Sequence, residues 1–204
     1  NNMRMAMLSP ALLQDVGYEF EIPPLSEMVD SSPKLKMVCD TIVDCWNKEP
    51  TGGQILYMPR GVEESKYVKE YLVQKGIPEN VIGFINSSVT DAKKDSLTEA
   101  FNDKTNALKI IIGSETISEG VDLNGNSYVC YNTMLGWNPT ETIQVEGRAW
   151  RQGNEQGHVH MVYPLMEDSI DALLYQKYDE KSSRINALWS YKGDRLNVED
   201  INPE

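Results

Sequence analysis

Three consecutive isoleucines, Ile110-Ile111-Ile112, preceded by Leu108-Lys109 and stopped by Gly113, restrict this chain more than any other stretch of it. A strand of that kind has no polar face to offer solvent, so it belongs in a sheet covered on both sides. Shorter strand-like runs recur at 54–58, 81–85, 128–131 and 159–163, and between them lie segments with the apolar period of helices. Residues 32–46 place Pro33 in a first helical turn and Leu35, Val38, Cys39, Ile42 and Val43 on one face. Residues 62–73 carry Val62, Tyr67, Val68, Tyr71 and Leu72 among Lys and Glu, and Gly76 and Pro78 close that pattern. Thr90 or Asp91 caps a third helix through Leu97, Ala100 and Phe101; a fourth is expected over 139–151 and a long fifth over 168–189. Strands alternating with helices predict an α/β fold, a mainly parallel sheet with helices on both faces in three layers.

At 204 residues the chain can bury one substantial core with a small appendage. The expected division is a connecting segment over 1–31, broken by Pro10, Gly17, Pro23 and Pro24, then the α/β lobe over 32–166, then a C-terminal helix and tail over 167–204. No apolar run approaches bilayer length and no charged-then-apolar leader opens the chain, so a soluble cytoplasmic protein is expected. Cys39, Cys45 and Cys130 form a sparse, odd set without C-x-x-C spacing, in keeping with a reducing compartment. His158 and His160 share one strand face, but with no third ligand in the sequence no metal site is expected. A net charge of −12 has the wrong sign for a free-standing module that grips nucleic acid through its phosphates. The chain begins at Asn1 without an initiator methionine and ends on Asn202-Pro203-Glu204, as expected of a piece of a larger protein.

Ligands of parallel sheets bind at the carboxyl ends of the strands, and the sequence is richest there. After Ile112 comes Gly113-Ser114-Glu115-Thr116-Ile117-Ser118-Glu119-Gly120-Val121-Asp122-Leu123, a loop dense in hydroxyls with a glycine where backbone amides can approach an anion. Such composition also fills inert loops. Trp137-Asn138-Pro139-Thr140-Glu141 reads as a helix start: Asn138 can cap, Pro139 fits the first helical position, and Glu141 sits where a capping-box carboxylate would reach back. On the helix that follows, Gln144, Gly147, Arg148 and Arg151 fall at i, i+3, i+4 and i+7, with Ile143 and Trp150 to one side and Val145 and Ala149 to the other. A stripe that is ordinarily apolar is here cationic; an isolated arginine pair is most often a solvated charged face, but the glycine between the two arginines' approaches and the hydroxyl-rich loop after the preceding strand shift the reading toward a phosphate site.

The string Gln144-Val145-Glu146-Gly147-Arg148-Ala149-Trp150-Arg151-Gln152-Gly153 resembles the Q-x-x-G-R-x-x-R-x-G motif VI of superfamily-two helicases, and Ser114 to Leu123 resembles their motif V. Residues 53–57 resemble motif IV. Trp137-Asn138-Pro139 and Ser31-Ser32-Pro33-Lys34-Leu35 resemble the Swi/Snf-type translocase branch. The joint occurrence of W-N-P-T, E-G-R and W-R-Q-G-N resembles the helicase portion of large helicase/adenine-methylase proteins of bacterial mobile elements and phages.

The resemblance implies the second of two RecA-like lobes that clasp one ATP. Arg148 and Arg151 would then be arginine fingers, Gln144 and Gly147 their neighbours at the phosphates, and Gly120 and Asp122 residues near the nucleotide. Ser88, Ser114 and Thr116 would touch a nucleic-acid backbone, and the helix over 168–189, with Lys177, Lys181 and Arg184, would brace the lobe. Asp122 departs from the Asn usual in the Swi/Snf branch. There is no G-x-x-x-x-G-K-[ST] in the chain, and its one D-E-x-x string, Asp179 to Ser182, falls inside the helix expected over 168–189 and not after a strand, so ATP with magnesium is expected to be bound mainly by a first lobe absent from it. The expected partners are that N-terminal lobe and DNA, in the cytoplasm of a bacterial or phage-infected cell, with this chain itself monomeric and inactive as an ATPase. Two other readings compete: a degenerate helicase-like scaffold for a protein partner, and carboxylate catalysis by Glu115 with Glu119 or Glu141 with Glu146.

Overall fold

The computed structural model describes residues 2–16 and 21–190. Five strands, β1 (Gly53–Tyr57), β2 (Ile82–Ile85), β3 (Ile110–Gly113), β4 (Ser127–Asn132) and β5 (His160–Val162), form one sheet in the order β2-β3-β1-β4-β5. Every pairing is parallel, with Ile55 opposite both Ile111 and Cys130. The connections carry α2 (Pro33–Lys48) before β1, then α3 (Ser65–Gln74), α4 (Asp91–Asn102), α5 (Thr116–Gly120) and α6 (Pro139–Ala149). At the two ends lie α1 (Asn2–Leu8) and α7 (Ile170–Ser190).

The isoleucine run behaves as its composition requires. Ile110, Ile111 and Ile112 are all buried in β3, which lies between β2 and β1. The two-residue alternation of a strand divides the sheet's side chains between two cores. Leu56, Ile110, Ile112, Val129 and Tyr131 face a layer made by α1, α2 and α3, whose Leu8, Leu35, Val38, Ile42, Val68 and Leu72 meet them. Ile55, Tyr57, Ile111 and Cys130 face Phe101 of α4, Ile117 of α5, and Val145 and Ala149 of α6. Three α/β/α layers result.

Ser32 caps α2, its hydroxyl accepting from the Leu35 amide, and Pro33 follows as the first helical residue. The segment ahead of it, where the sequence predicts no element, holds α1 and a 3-10 helix over Pro10–Val16. Leu8, Ala11, Leu12, Met28 and Val29 from this region enter the first core. Ser9 donates to the Met28 carbonyl at 3.1 Å, and Ser32 donates to that of Leu8. The prolines interrupt periodicity without preventing burial.

The first turn of α7 is fastened to α2 by Lys34 and Asp171, whose charged atoms lie 2.8 Å apart in the interior, with Leu174 buried beside them. Burial draws the Lys34 ammonium below its usual pKa, while the hydrogen bond to Asp171 opposes that shift. Among the described residues no helix is long and apolar enough to cross a membrane.

Several boundaries differ from expectation. The helix predicted at 62–73 begins at Ser65, the strand predicted at 108–112 runs instead from Ile110 to Gly113, and α6 stops at Ala149 where the pattern extends to residue 151. The hydroxyl-rich loop also contains the short helix α5. Its Ile117 packs so closely on Gly113 that a Cβ there would lie 2.0 Å from the isoleucine Cδ1. Gly113 therefore both ends the strand and seats the helix that follows.

Candidate functional site

Of the residues singled out in the sequence, Ser88, Ser114 and Thr116 follow the carboxyl ends of β2 and β3, whereas Asp122, Arg148 and Arg151 lie together toward the amino end of β4, where the last turn of α6 arrives. Ser88 follows β2, where Asn86 Oδ1 accepts from both its amide (3.0 Å) and its hydroxyl (2.6 Å), an Asx turn that leaves Ser88 exposed. At the end of the neighbouring β3, the Ser114 amide donates to the Ile85 carbonyl at 3.1 Å, and the hydroxyls of Ser114 and Thr116 are 3.3 Å apart. Ser114 is buried and Thr116 half-buried. Arg60, just past β1, pairs with Glu115 at 3.0 Å. A cleft of about 290 Å3 opens beside Thr116, Glu119 and Gly120, against Lys94 of α4.

Beyond α5 the chain is held on both sides. Asn102 at the end of α4 donates to the Asp122 carbonyl at 2.8 Å and accepts from the Gly125 amide at 2.9 Å. The Leu123 amide donates to the Arg148 carbonyl at 3.1 Å, which joins this segment to the last turn of α6. Asp122 is thereby set opposite the arginines. Its Oδ1 accepts from Arg148 Nη1 at 2.7 Å and from Arg151 Nη1 at 2.8 Å. Gln144 and Gly147 are exposed on α6, and a Cβ added at either Gly120 or Gly147 would meet nothing within 4 Å.

The arginines meet by a route the helical stripe does not describe. Trp150 is the C-cap, with extended backbone, so Arg151 lies beyond the helix. Gly153 then takes a φ of +101°, a conformation that favours glycine, and turns the chain. Asn154 fastens the turn by donating to the carbonyls of Asn124 and Ser127, each at 2.8 Å. Asn102, Asn124 and Asn154 are positioning residues that sequence reasoning passed over; their only signal was unusual density of Asn around the two motifs.

Asn138 caps α6 as predicted, accepting from the Thr140 amide at 3.2 Å. Glu141 does not reach back to close a capping box: its Oε1 accepts from Tyr57 Oη, at the end of β1. Burial and the adjoining carboxylate push the Tyr57 phenol above its usual pKa. Glu146 accepts from Tyr163 and, at 2.6 Å, from Tyr178 of α7, while Lys181 of α7 donates to the Trp137 carbonyl at 2.7 Å. Burial and Glu146 likewise raise the pKa of both phenols. Glu115, Glu141 and Glu146 are therefore each engaged by Arg or Tyr, not paired as acid and base.

Residues 33–153 of this parallel three-layer lobe match the family described as helicase conserved C-terminal domain. The chain belongs to that family. Its fold is that of the solved C-terminal part of the Fun30 ATPase domain, at a TM-score of 0.62 and 15% identity. The match covers 85% of this chain and 49% of that one, so this chain spans about half its length. A comparison with curated protein sequences finds no match.

Proposed function

We propose that the chain is the second motor lobe of an ATP-dependent DNA helicase or translocase of the Swi/Snf type, supplying arginine fingers to a nucleotide held by a P-loop lobe. The observation that carries this reading is the convergence of Arg148 and Arg151 on one point, 2.7 and 2.8 Å from Asp122 Oδ1, beside the open glycines Gly120 and Gly147. Each guanidinium spends one N–H there and keeps the rest of its five donors for phosphate oxygens. Gln144, Gly147, Gly120 and Asp122 would border the ATP. Magnesium would be held by the partner lobe, since the one D-E-x-x string here, Asp179 to Ser182, lies within α7 and not at a strand end.

Phosphoryl transfer spreads negative charge over the γ-phosphate oxygens, and a positioned arginine stabilises that charge by roughly 10³ to 10⁵ in rate. Arg148 and Arg151 would act only when this lobe closes on the nucleotide, which ties hydrolysis to closure. Ser88, Ser114 and Thr116, at the ends of β2 and β3, would contact the DNA backbone and move with the lobe. The net charge of −12 assigns most of the electrostatic grip on DNA to other parts of the motor.

The test is DNA-stimulated ATPase of the two-lobed protein carrying this chain. Arg148→Ala or Arg151→Ala should lower kcat by about 10³ or more. Wild-type turnover in both variants would remove the assigned role. A second reading, a helicase-like scaffold for a protein partner, draws on Ile143 and Trp150, which line an open groove with Met161 of β5. Unimpaired translocation by Arg148→Ala would favour it.

A further inference from the structure

Two cations brought to one place repel each other, and long side chains lose rotamer freedom when held there. Arg148 sits in the last turn of α6 and Arg151 beyond the helix end, so no regular backbone geometry sets the separation of their heads. Among the described residues Asp122 is the one acceptor for either guanidinium. Its own position is fixed through the backbone: Asn102 binds its carbonyl, and the next amide, of Leu123, binds the carbonyl of Arg148. The carboxylate is thus anchored to the element that carries one arginine and reaches the other across the helix end.

We propose that Asp122 is a positioning residue for the arginine pair, holding both guanidinium heads on a common point so that a phosphoryl group meets them together. This rests on the reading of Arg148 and Arg151 as arginine fingers. Both arginines use the same oxygen, Oδ1, which keeps their heads converged. One carboxylate against two guanidiniums leaves a net positive charge for an incoming phosphate. Asp122 is a buttress and not a competitor: a phosphate can bind the remaining N–H groups while both contacts to Oδ1 persist.

A buttress is felt in the transition state, where misplacement of a charged group by about 1 Å can cost ~10²-fold in rate. In the two-lobed protein, Asp122→Ala should lower the kcat of DNA-stimulated ATP hydrolysis by ~10- to ~100-fold while KM for ATP stays within about twofold. Asp122→Asn keeps an accepting oxygen at the same place and should recover a large part of the loss. In the 204-residue chain alone, Asp122→Ala should shift and sharpen the Nε–H signals of Arg148 and Arg151 in nitrogen-15 NMR as the heads become mobile, with the backbone spectrum retained. Wild-type kcat in Asp122→Ala, alongside impaired Arg148→Ala, would overturn the positioning role and leave the finger assignment intact. Wild-type kcat in Arg148→Ala and Arg151→Ala would overturn the finger assignment itself. A loss in Asp122→Ala confined to KM, or no recovery in Asp122→Asn, also contradicts the buttress.

Discussion

Lys34 with Asp171, and Arg148 and Arg151 with Asp122, are cation–carboxylate contacts of nearly one length, 2.8 Å against 2.7 and 2.8 Å, in opposite surroundings. The Lys34 and Asp171 side chains are 3% and 6% exposed, whereas Arg148, Arg151 and Asp122 are 25%, 55% and 47% exposed. The first pair has lost its water, so breaking it strands a buried charge. The second group keeps water at hand, so the guanidinium N–H groups not spent on Asp122 stay open to a phosphate. Distance is the same; solvent decides which contact holds the fold and which can serve a ligand.

Substitutions separate the two regions. Lys34→Ala should destabilise the lobe by about 3–5 kcal/mol, the penalty for leaving Asp171 buried and unpaired, read from the midpoint of urea unfolding. Lys34→Met, which keeps much of the volume, tests the same pair from the packing side: if it costs as much as Lys34→Ala, the stranded carboxylate and not the lost stem is responsible. Ile111→Ala, in the strand that most constrains the fold, belongs to the same range, about 2–5 kcal/mol. Tyr178→Phe removes one of the phenols on Glu146 and should cost about 0.5–1.5 kcal/mol while loosening α7, read as faster amide exchange along that helix. Arg148→Ala should change stability least, by about 1 kcal/mol or less, although its effect on turnover is the largest of all. A stability loss for Arg148→Ala as large as that for Lys34→Ala would erase the contrast.

Alkaline pH gives a further test. Tyr57, Tyr131 and Tyr163 have pKa values raised above the usual tyrosine range by burial first, with carboxylates adding to the shift at Tyr57 and Tyr163. Their folded forms bind protons that the unfolded chain releases near pH ~10. The stability they contribute is therefore fully present below that pH and declines as pH rises above it. Urea midpoints measured between about pH 8 and 11 should fall across the upper part of that range, and a smaller decline is expected in Tyr163→Phe.

The sheet was legible because burial on both faces leaves a mark in the sequence: Ile110-Ile111-Ile112 is β-branched throughout, offers no polar face, and is buried on both sides in β3. The α2 start was legible for a local reason, Ser32 and Pro33 in cap and first-turn positions. What escaped were features that depend on distant partners. Asp122 lies 26 and 29 residues from Arg148 and Arg151, so periodicity puts the arginines on one helix but says nothing of their shared acceptor. Nothing between Arg148 and Gly153 forbids helix locally, and the stop at Ala149 comes with tertiary ties, among them Leu123 on the Arg148 carbonyl and Asn154 on the adjoining loop. Glu141 satisfied a local capping rule, yet the buried Tyr57 hydroxyl required a partner and took its carboxylate. Before Pro33, α1 is seven residues long, too short to show a helical period, and the 3-10 helix after it begins on Pro10.

Single-turnover cleavage of ATP by the two-lobed protein, with DNA bound and nucleotide saturating, addresses the arginine pair most directly. For the Arg148→Ala, Arg151→Ala double variant the account predicts ATP binding close to wild type and a cleavage rate lower by about 10³ or more. Cleavage at the wild-type rate, with ATP bound, would contradict it.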